Sequence, residues 1–133
     1  MGQINFNKKV CAGLMLLVFL AITTDLYADS AIFEYSANGH RYQLIETEMS
    51  WTNAKSYCES RGGHLATITS QGENDFVYNQ FDLSGITCYL GATDIKTEGE
   101  WEWITGEPWE FTNWGPGQPD DDPGYGGQDF LAF

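Results

Sequence analysis

The segment 112–128 constrains the fold most, because glycine, proline and aspartate dominate it. Proline lacks the backbone N–H that helices and sheets use, and glycine loses the most conformational freedom on ordering. A helix or strand is therefore not expected here. The chain has 133 residues, enough for one domain, so the core has to come mostly from residues before this segment. Long ordered loops in compact domains usually carry function, and we expect the same here.

The composition is that of a globular protein with an acidic surface. Hydrophobic residues make up 42% of the chain and aromatic residues 15%, which is more than a disordered chain carries. The formal net charge of -13 repels the phosphate backbone of nucleic acids. We therefore predict no nucleic-acid partner.

The first 28 residues have the pattern of a secretory signal peptide. Lys8 and Lys9 precede an uncharged run of thirteen residues, 10–22. A membrane-spanning helix needs about 20 apolar residues, so this run is too short to cross a bilayer. We predict a signal peptide over 1–28 and a domain over 29–133, in a secreted or extracellular protein (periplasmic if bacterial). A retained amphipathic or membrane-anchoring helix is the alternative, and membrane contact is expected only through this segment.

Capping residues and apolar spacing predict two helices. Ser50 is a suitable N-cap, and apolar residues follow it at helical spacing up to a pair of glycines. Ser70 and Glu73 match a capping box, in which the side chain of each residue accepts a hydrogen bond from the backbone N–H of the other. We predict helices near 50–61 and 70–82.

Short alternating or apolar runs predict strands. The clearest is 100–104, where two tryptophans alternate with two glutamates, so that each pair lies on one face of a sheet. Further strands are predicted within 31–46, 86–90 and 129–133. Two helices combined with short strands predict an α+β fold.

Acidic residues are concentrated in the second half of the chain. Ten carboxylates lie between Asp94 and Asp129, against the single cation Lys96. Crowded carboxylates either point into water or converge on a hard cation that takes oxygen ligands. From the residues alone both interpretations apply, to different members of the group.

The order of these features resembles the C-type lectin-like domain over residues 33–133. The residues that carry the resemblance are, in chain order, Tyr42, Trp51, Ala54, Tyr57, Cys58, Gly63, Leu65, Ala66, Ile68, Glu73, Phe76, Leu90, Gly91, Thr93, Asp94, Gly99, Trp101, Trp103, Gly106, Trp114, Gln118, Pro119 and Asp120. The resemblance implies two helices and small antiparallel sheets that support a long calcium-binding loop.

The resemblance also implies a calcium ion in that loop, bound by Gln118 and Asp120 on either side of a cis bond at Pro119. The same two side chains would bind a pair of sugar hydroxyls. Gln-Pro-Asp is similar to the family's galactose-type tripeptide, so the implied partner is a galactose-like carbohydrate or glycoconjugate. Tyr125 is the candidate for stacking on the sugar, and Gln128 stands where the family usually places a glutamate ligand. A Pro-Asp turn without a metal is the alternative.

A second, supporting calcium site is implied by four further carboxylates, Asp94, Glu98, Asp121 and Asp129, which occupy ligand positions of related lectins. Such a site would stiffen the long loop. The alternative is that Asp94 and Glu98 are solvated charges before the strand.

The chain also departs from the family's pattern at its end. It stops before the segment in which the family carries Trp-Asn-Asp and a last cysteine, so the resemblance implies a C-terminally truncated domain without its terminal strands. The family partner of Cys58 is then missing, and a bridge between Cys58 and Cys88 is left open.

The sequence therefore predicts a secreted, calcium-dependent, galactose-type lectin domain that truncation impairs. The alternative is a calcium-independent lectin-like module that binds protein or a surface. No enzyme is predicted, because neither a histidine nor an activated nucleophile is placed beside the paired carboxylates.

Overall fold

The computed structural model describes residues 8–14, 31–120 and 128–133. The strands of these ranges are β1 (Lys8–Leu14), β2 (Phe33–Tyr35), β3 (His40–Ile45), β4 (His64–Leu65), β5 (Thr87–Thr93), β6 (Glu102–Trp103) and β7 (Phe130–Ala132). The helices are α1 (Trp51–Ser60) and α2 (Gln71–Gln80). The predicted α+β fold is confirmed.

Both helices begin where their capping residues predict. The Ser50 side chain accepts a hydrogen bond from the Asn53 N–H, and the Ser70 side chain accepts one from the Glu73 N–H. In α1 the buried residues lie at helical spacing, so that one face packs on the sheet. The predicted helices are confirmed to within two residues at each end.

One sheet joins the strands in the order β2-β3-β1-β5-β6, with β4 paired to β1 and β7 paired to β5. The strand β5 is buried along almost its whole length, as expected of a central strand. At its middle, a Cβ on Gly91 would lie 2.6 Å from the Leu65 carbonyl oxygen. Only glycine lets the two backbones approach this closely, which explains the glycine in an otherwise apolar strand.

The strand β1 lies inside the segment that the sequence predicts to be a signal peptide. It pairs antiparallel with β3 and parallel with β5, and so fills the space between them. An apolar run of this length satisfies the pattern of a buried strand as well as that of a signal peptide. The pairing belongs to the uncleaved chain, and removal of 1–28 stays a prediction.

The strand predicted over 100–104 is shorter in the structure. Glu102 and Trp103 form the paired strand with β5, and the Ile104 N–H still bonds to the Gly91 carbonyl of β5 before a turn ends the pairing. The Glu100 N–H bonds to the Thr97 carbonyl, and the N–H of Gly106, whose φ is 77°, bonds to the Trp103 carbonyl. The other predicted strands are present, and the stretch 31–46 forms the hairpin β2–β3.

The core consists of two clusters of buried side chains. One contains Tyr42, Leu44, Ala66, Ile68, Val77, Leu83, Cys88, Leu90, Ala92 and Trp103, and the other contains Ile45, Trp51, Ala54, Cys58, Leu65 and Tyr89. Cys58 carries a free thiol, so the Cys58–Cys88 bridge is not formed, and burial raises the pKa of this thiol to about 12.

No helix in the described ranges is long and apolar enough to cross a bilayer.

Candidate metal and carbohydrate site

Two strand ends bring together carboxylates that are far apart in the sequence. The strands β5 and β7 run antiparallel, with Thr93 opposite Phe130. Asp94 follows Thr93 and Asp129 precedes Phe130, so the two carboxylates leave the sheet at the same edge. The pairing of β7 with β5, and not the loop alone, therefore positions Asp129.

A tight turn after β5 adds a third carboxylate. The Thr97 N–H bonds to the Asp94 carbonyl, and the Gly99 N–H donates to Asp94 Oδ2 at 3.1 Å. The turn brings Glu98 back towards Asp94. Ligand oxygens of Asp94, Glu98 and Asp129 all lie within 4.8 Å of one another.

The burial of Asp94 makes this cluster unusual for surface acids. The residue is 3% exposed, and its Oδ1 is buried with no hydrogen-bond partner. A buried carboxylate oxygen without a partner is costly, more so beside two further negative groups. Lys96, the nearest cation in sequence, is paired with Glu102 at 2.5 Å. A bound divalent cation is the group that satisfies three converging carboxylates.

The Gln118-Pro119-Asp120 loop lies next to these acids. The Gln118–Pro119 bond is cis, and the Gln118 N–H bonds to the Gly115 carbonyl. Gln128 approaches from the start of the last segment, and its Nε2 donates to Asp120 Oδ1 at 2.8 Å. Asp120 and Gln128, which are eight residues apart in the sequence, are thus joined by a side-chain hydrogen bond.

One cleft contains all the described members of the predicted site except Asp120. Its walls include Gln118 and Gln128 together with the acidic cluster, Asp94, Glu98 and Asp129. Asp120 is exposed, and its carboxylate accepts a hydrogen bond from Gln128, which lines the cleft. Asp121 and Tyr125, predicted as a metal ligand and a sugar platform, lie outside the described residues.

The same cleft has an aromatic wall. Trp101, Trp103, Trp109 and Trp114 contact one another, with ring centroids 4.7 Å apart for Trp103 and Trp109 and 5.1 Å apart for Trp101 and Trp114. Neither Trp109 nor Phe111 was predicted from the sequence to be part of the site. Their spacing of two residues in an extended segment is a signal for side chains that share one face.

A second polar cluster, away from the loop, was also missed. Glu73 is fully buried and accepts hydrogen bonds from Asn38 Nδ2, Tyr42 Oη and the Thr69 N–H, while His40 Nδ1 lies 3.1 Å from it. Burial alone would raise the pKa of Glu73, but these donors together lower it below its ordinary value. The capping-box pattern was the sequence signal for Glu73. Its hydrogen-bond partners Asn38 and Tyr42 come from the hairpin β2–β3 and meet it only in the folded chain, so the sequence did not predict them.

The chain is similar to known proteins over most of its described length. The family model described as "Lectin C-type domain" matches residues 47–126. Human C-type lectin domain family 10 member A is 38% identical over 97 residues, covering 69% of this chain and 29% of that protein. Rat asialoglycoprotein receptor 1 is 37% identical over 100 residues, covering 71% and 34%. The chain thus spans about a third of the length of these two relatives.

Solved structures agree with the sequence matches. The carbohydrate-recognition domain of human scavenger receptor C-type lectin superposes with a TM-score of 0.58 at 31% identity, covering 64% of this chain and 67% of that one. The corresponding domain of cow CD23, crystallised in the presence of a GlcNAc2Man3 oligosaccharide, gives 0.56 at 29% identity, covering 63% and 62%. Fold and site together define a lectin-type domain. The chain belongs to the C-type lectin domain family.

Proposed function

We propose that this domain is a secreted lectin that binds galactose-like carbohydrates through calcium and has no catalytic activity. The observation that carries the proposal is the buried, unpaired oxygen of Asp94 within a cluster of three carboxylates, in the same cleft as Gln118. A calcium ion takes six to eight oxygen ligands, and carboxylate and amide oxygens are among those it prefers. The cleft offers both kinds.

The acidic cluster is the stronger of two proposed calcium sites. Asp94, Glu98 and Asp129 supply three negative charges within ligand distance of one ion, with Asp121 proposed as a fourth. Calcium affinity rises with the number of charged ligands and with the rigidity of the site. The turn at Asp94 and the β5–β7 pairing supply that rigidity.

The proposed sugar-binding calcium site has fewer charges. Its candidate ligands are Gln118, Asp120 and Gln128, of which only Asp120 is a carboxylate. Gln128 donates its amide to Asp120, so it has to turn its carbonyl oxygen towards the ion before it can act as a ligand. We therefore expect weaker calcium binding here than at the acidic cluster, and a correspondingly weak affinity for galactose, with Tyr125 as a stacking candidate.

The similar proteins support a carbohydrate ligand. One solved relative is named as a carbohydrate-recognition domain, and another was crystallised with an oligosaccharide. The tripeptide Gln118-Pro119-Asp120 favours galactose within that class. The order of the amide and the carboxylate along the tripeptide decides which sugar hydroxyls donate hydrogen bonds and which accept them.

Retention on galactose-agarose tests the proposal. The full chain is expected to be retarded on the resin in calcium and released by EDTA. The double variant Gln118→Glu, Asp120→Asn should lose the retardation on galactose-agarose and show retardation on mannose-agarose instead. Glu34→Gln is the control, because Glu34 is exposed on β2, at the opposite edge of the sheet. Retention that EDTA leaves unchanged would contradict the calcium-dependent mode.

A second candidate function is calcium-independent binding of protein or a surface. The observation that favours it is the Gln128–Asp120 hydrogen bond, which occupies one candidate ligand oxygen with a donor. In that case Gln128→Glu, which restores a carboxylate, would give calcium-dependent galactose binding to a chain that lacks it.

A further inference from the structure

The cleft beside the Gln118 loop opens into a large apolar cavity. Its volume is about 720 Å³, a size typical of sites for drug-sized ligands. Most of its lining is apolar, including four tryptophans, Phe111 and Leu90. A carbohydrate with one face of C–H groups does not need so much apolar surface.

Two hydrogen-bond donors in this lining have no partner. The Nε1 atoms of Trp101 and Trp103 are buried and unpaired, and both residues line the cavity. An indole N–H only donates, so each lacks an acceptor. By contrast, Trp51 Nε1 in the neighbouring core cluster donates to the Leu90 carbonyl at 2.8 Å. Both nitrogens are buried behind the cavity surface, so a ligand in the cavity meets ring carbon atoms of these tryptophans, which suits an apolar group.

The cavity and the proposed sugar site are continuous. Gln118 and Pro119 line the same cavity as the tryptophans. A sugar held by Gln118 and Asp120 thus has apolar wall within reach of a substituent on its anomeric carbon. The acidic cluster on the same wall disfavours fatty acids and phosphorylated lipids, because like charges repel.

We infer that the ligand is a neutral galactoside with an apolar alkyl aglycone, whose chain occupies the cavity lined by tryptophan and Phe111. This inference rests on the proposed galactose specificity and extends it to the aglycone. The sugar supplies orientation through calcium, and the alkyl chain supplies apolar contact with the tryptophans and Phe111. An amphiphilic glycoconjugate fits better than free galactose.

Calorimetric titration of the full chain in calcium tests the inference with three probes below their micelle concentrations. These are methyl β-galactoside, octyl β-galactoside and octyl β-glucoside. Burial of the alkyl CH₂ groups in the cavity is favourable, so we expect octyl β-galactoside to bind about tenfold or more tighter than methyl β-galactoside. Octyl β-glucoside should bind more weakly than octyl β-galactoside, and EDTA should abolish the difference between these two.

Two variants connect the effect to the cavity. Phe111→Ala removes part of the wall and should lower the octyl-to-methyl affinity ratio about threefold or more, while the tryptophans keep part of the effect. Phe33→Ala is the matched control, since Phe33 is also half-buried but contacts Phe81 and does not line the cavity. It should leave the ratio unchanged, and circular dichroism checks that both variants fold.

Equal affinity for methyl and octyl β-galactoside would overturn this inference and leave the galactose proposal intact. Equal binding of the two octyl glycosides, with no methyl β-galactoside binding, would overturn both, because the cavity would then bind an alkyl chain without recognising the sugar. Absence of binding by all three probes would also overturn both.

Discussion

At the scale of single residues, two buried carboxylates differ in how their charge is satisfied. Glu73 is surrounded by donors, whereas Asp94 has one oxygen bonded to the Gly99 N–H and the other unpaired. The first arrangement stabilises a folded protein without a ligand, and burial with the Glu73 contact raises the pKa of Tyr42 in turn. The second arrangement is stabilising only when a cation is bound.

Glu73→Gln is expected to lower the free energy of unfolding by about 1.5–3 kcal/mol, the usual range for hydrogen bonds to a charged group. Urea denaturation at neutral pH measures it. Asp75→Asn on the same helix is the control, because Asp75 is exposed and its loss removes the same charge. Equal effects of both variants would show that the buried network adds nothing.

The same group gives the protein a pH dependence with a definite sign. The pKa of Glu73 is lower in the folded chain than its ordinary value of 4.5, so the unfolded chain binds the proton more readily. The stabilisation is fully present above pH 4.5 and is lost as pH falls through the folded pKa. Denaturation between pH 6 and 3 should therefore show a steeper loss for the wild type than for Glu73→Gln, and parallel curves would contradict this assignment.

Asp94→Asn should remove most of the response of the protein to calcium. A ligand present at 100 times its Kd stabilises a protein by about 2.7 kcal/mol, so calcium should raise the Tm of the wild type well above that of the variant, which keeps only the weaker site. Without calcium the variant should melt at or above the wild-type Tm, because it no longer carries an unpaired buried charge. Glu34→Gln is the control and should keep the calcium response.

At the scale of secondary-structure elements, local signals predicted more than tertiary ones. Ser50 and Ser70 fixed the starts of both helices, because capping depends on residues within one turn. The extent of β6 was not predictable, because the turns beside it compete for the same backbone groups. The contact of Asp129 with Asp94 depends on the β5–β7 register, which only the folded sheet defines.

Gly91→Ala is expected to destabilise the sheet by more than about 2 kcal/mol, since the added methyl would lie 2.6 Å from a backbone oxygen that cannot move freely. Gly115→Ala is the matched control, because nothing lies within 4 Å of a Cβ there. Thermal melts of both variants measure the difference. Similar Tm values for the two would contradict the close approach of β4 and β5.

At the scale of the whole molecule, the fold combines an apolar core and a hydrogen-bonded network around Glu73 with an acidic, aromatic cleft. The net charge of -13 follows largely from carboxylates in the second half of the chain. Composition left open which of them converge, whereas the family resemblance implied Asp94, Glu98, Asp121 and Asp129. The structure brings three of these carboxylates into one cluster, which lines the same cleft as Gln118. The tryptophan cavity was not predicted, because the sequence placed Trp101 and Trp103 only on one face of a strand and gave Trp109 no role.

The central claim is that galactose binding at the Gln118 loop depends on calcium. Calorimetric titration of galactose into the full chain, first in calcium and then in EDTA, tests it most directly. We expect weak, saturable binding in calcium, no binding in EDTA, and loss of the calcium-dependent signal in Asp120→Asn but not in Glu34→Gln. Galactose binding of equal affinity in EDTA, or unchanged binding by Asp120→Asn, would contradict the account.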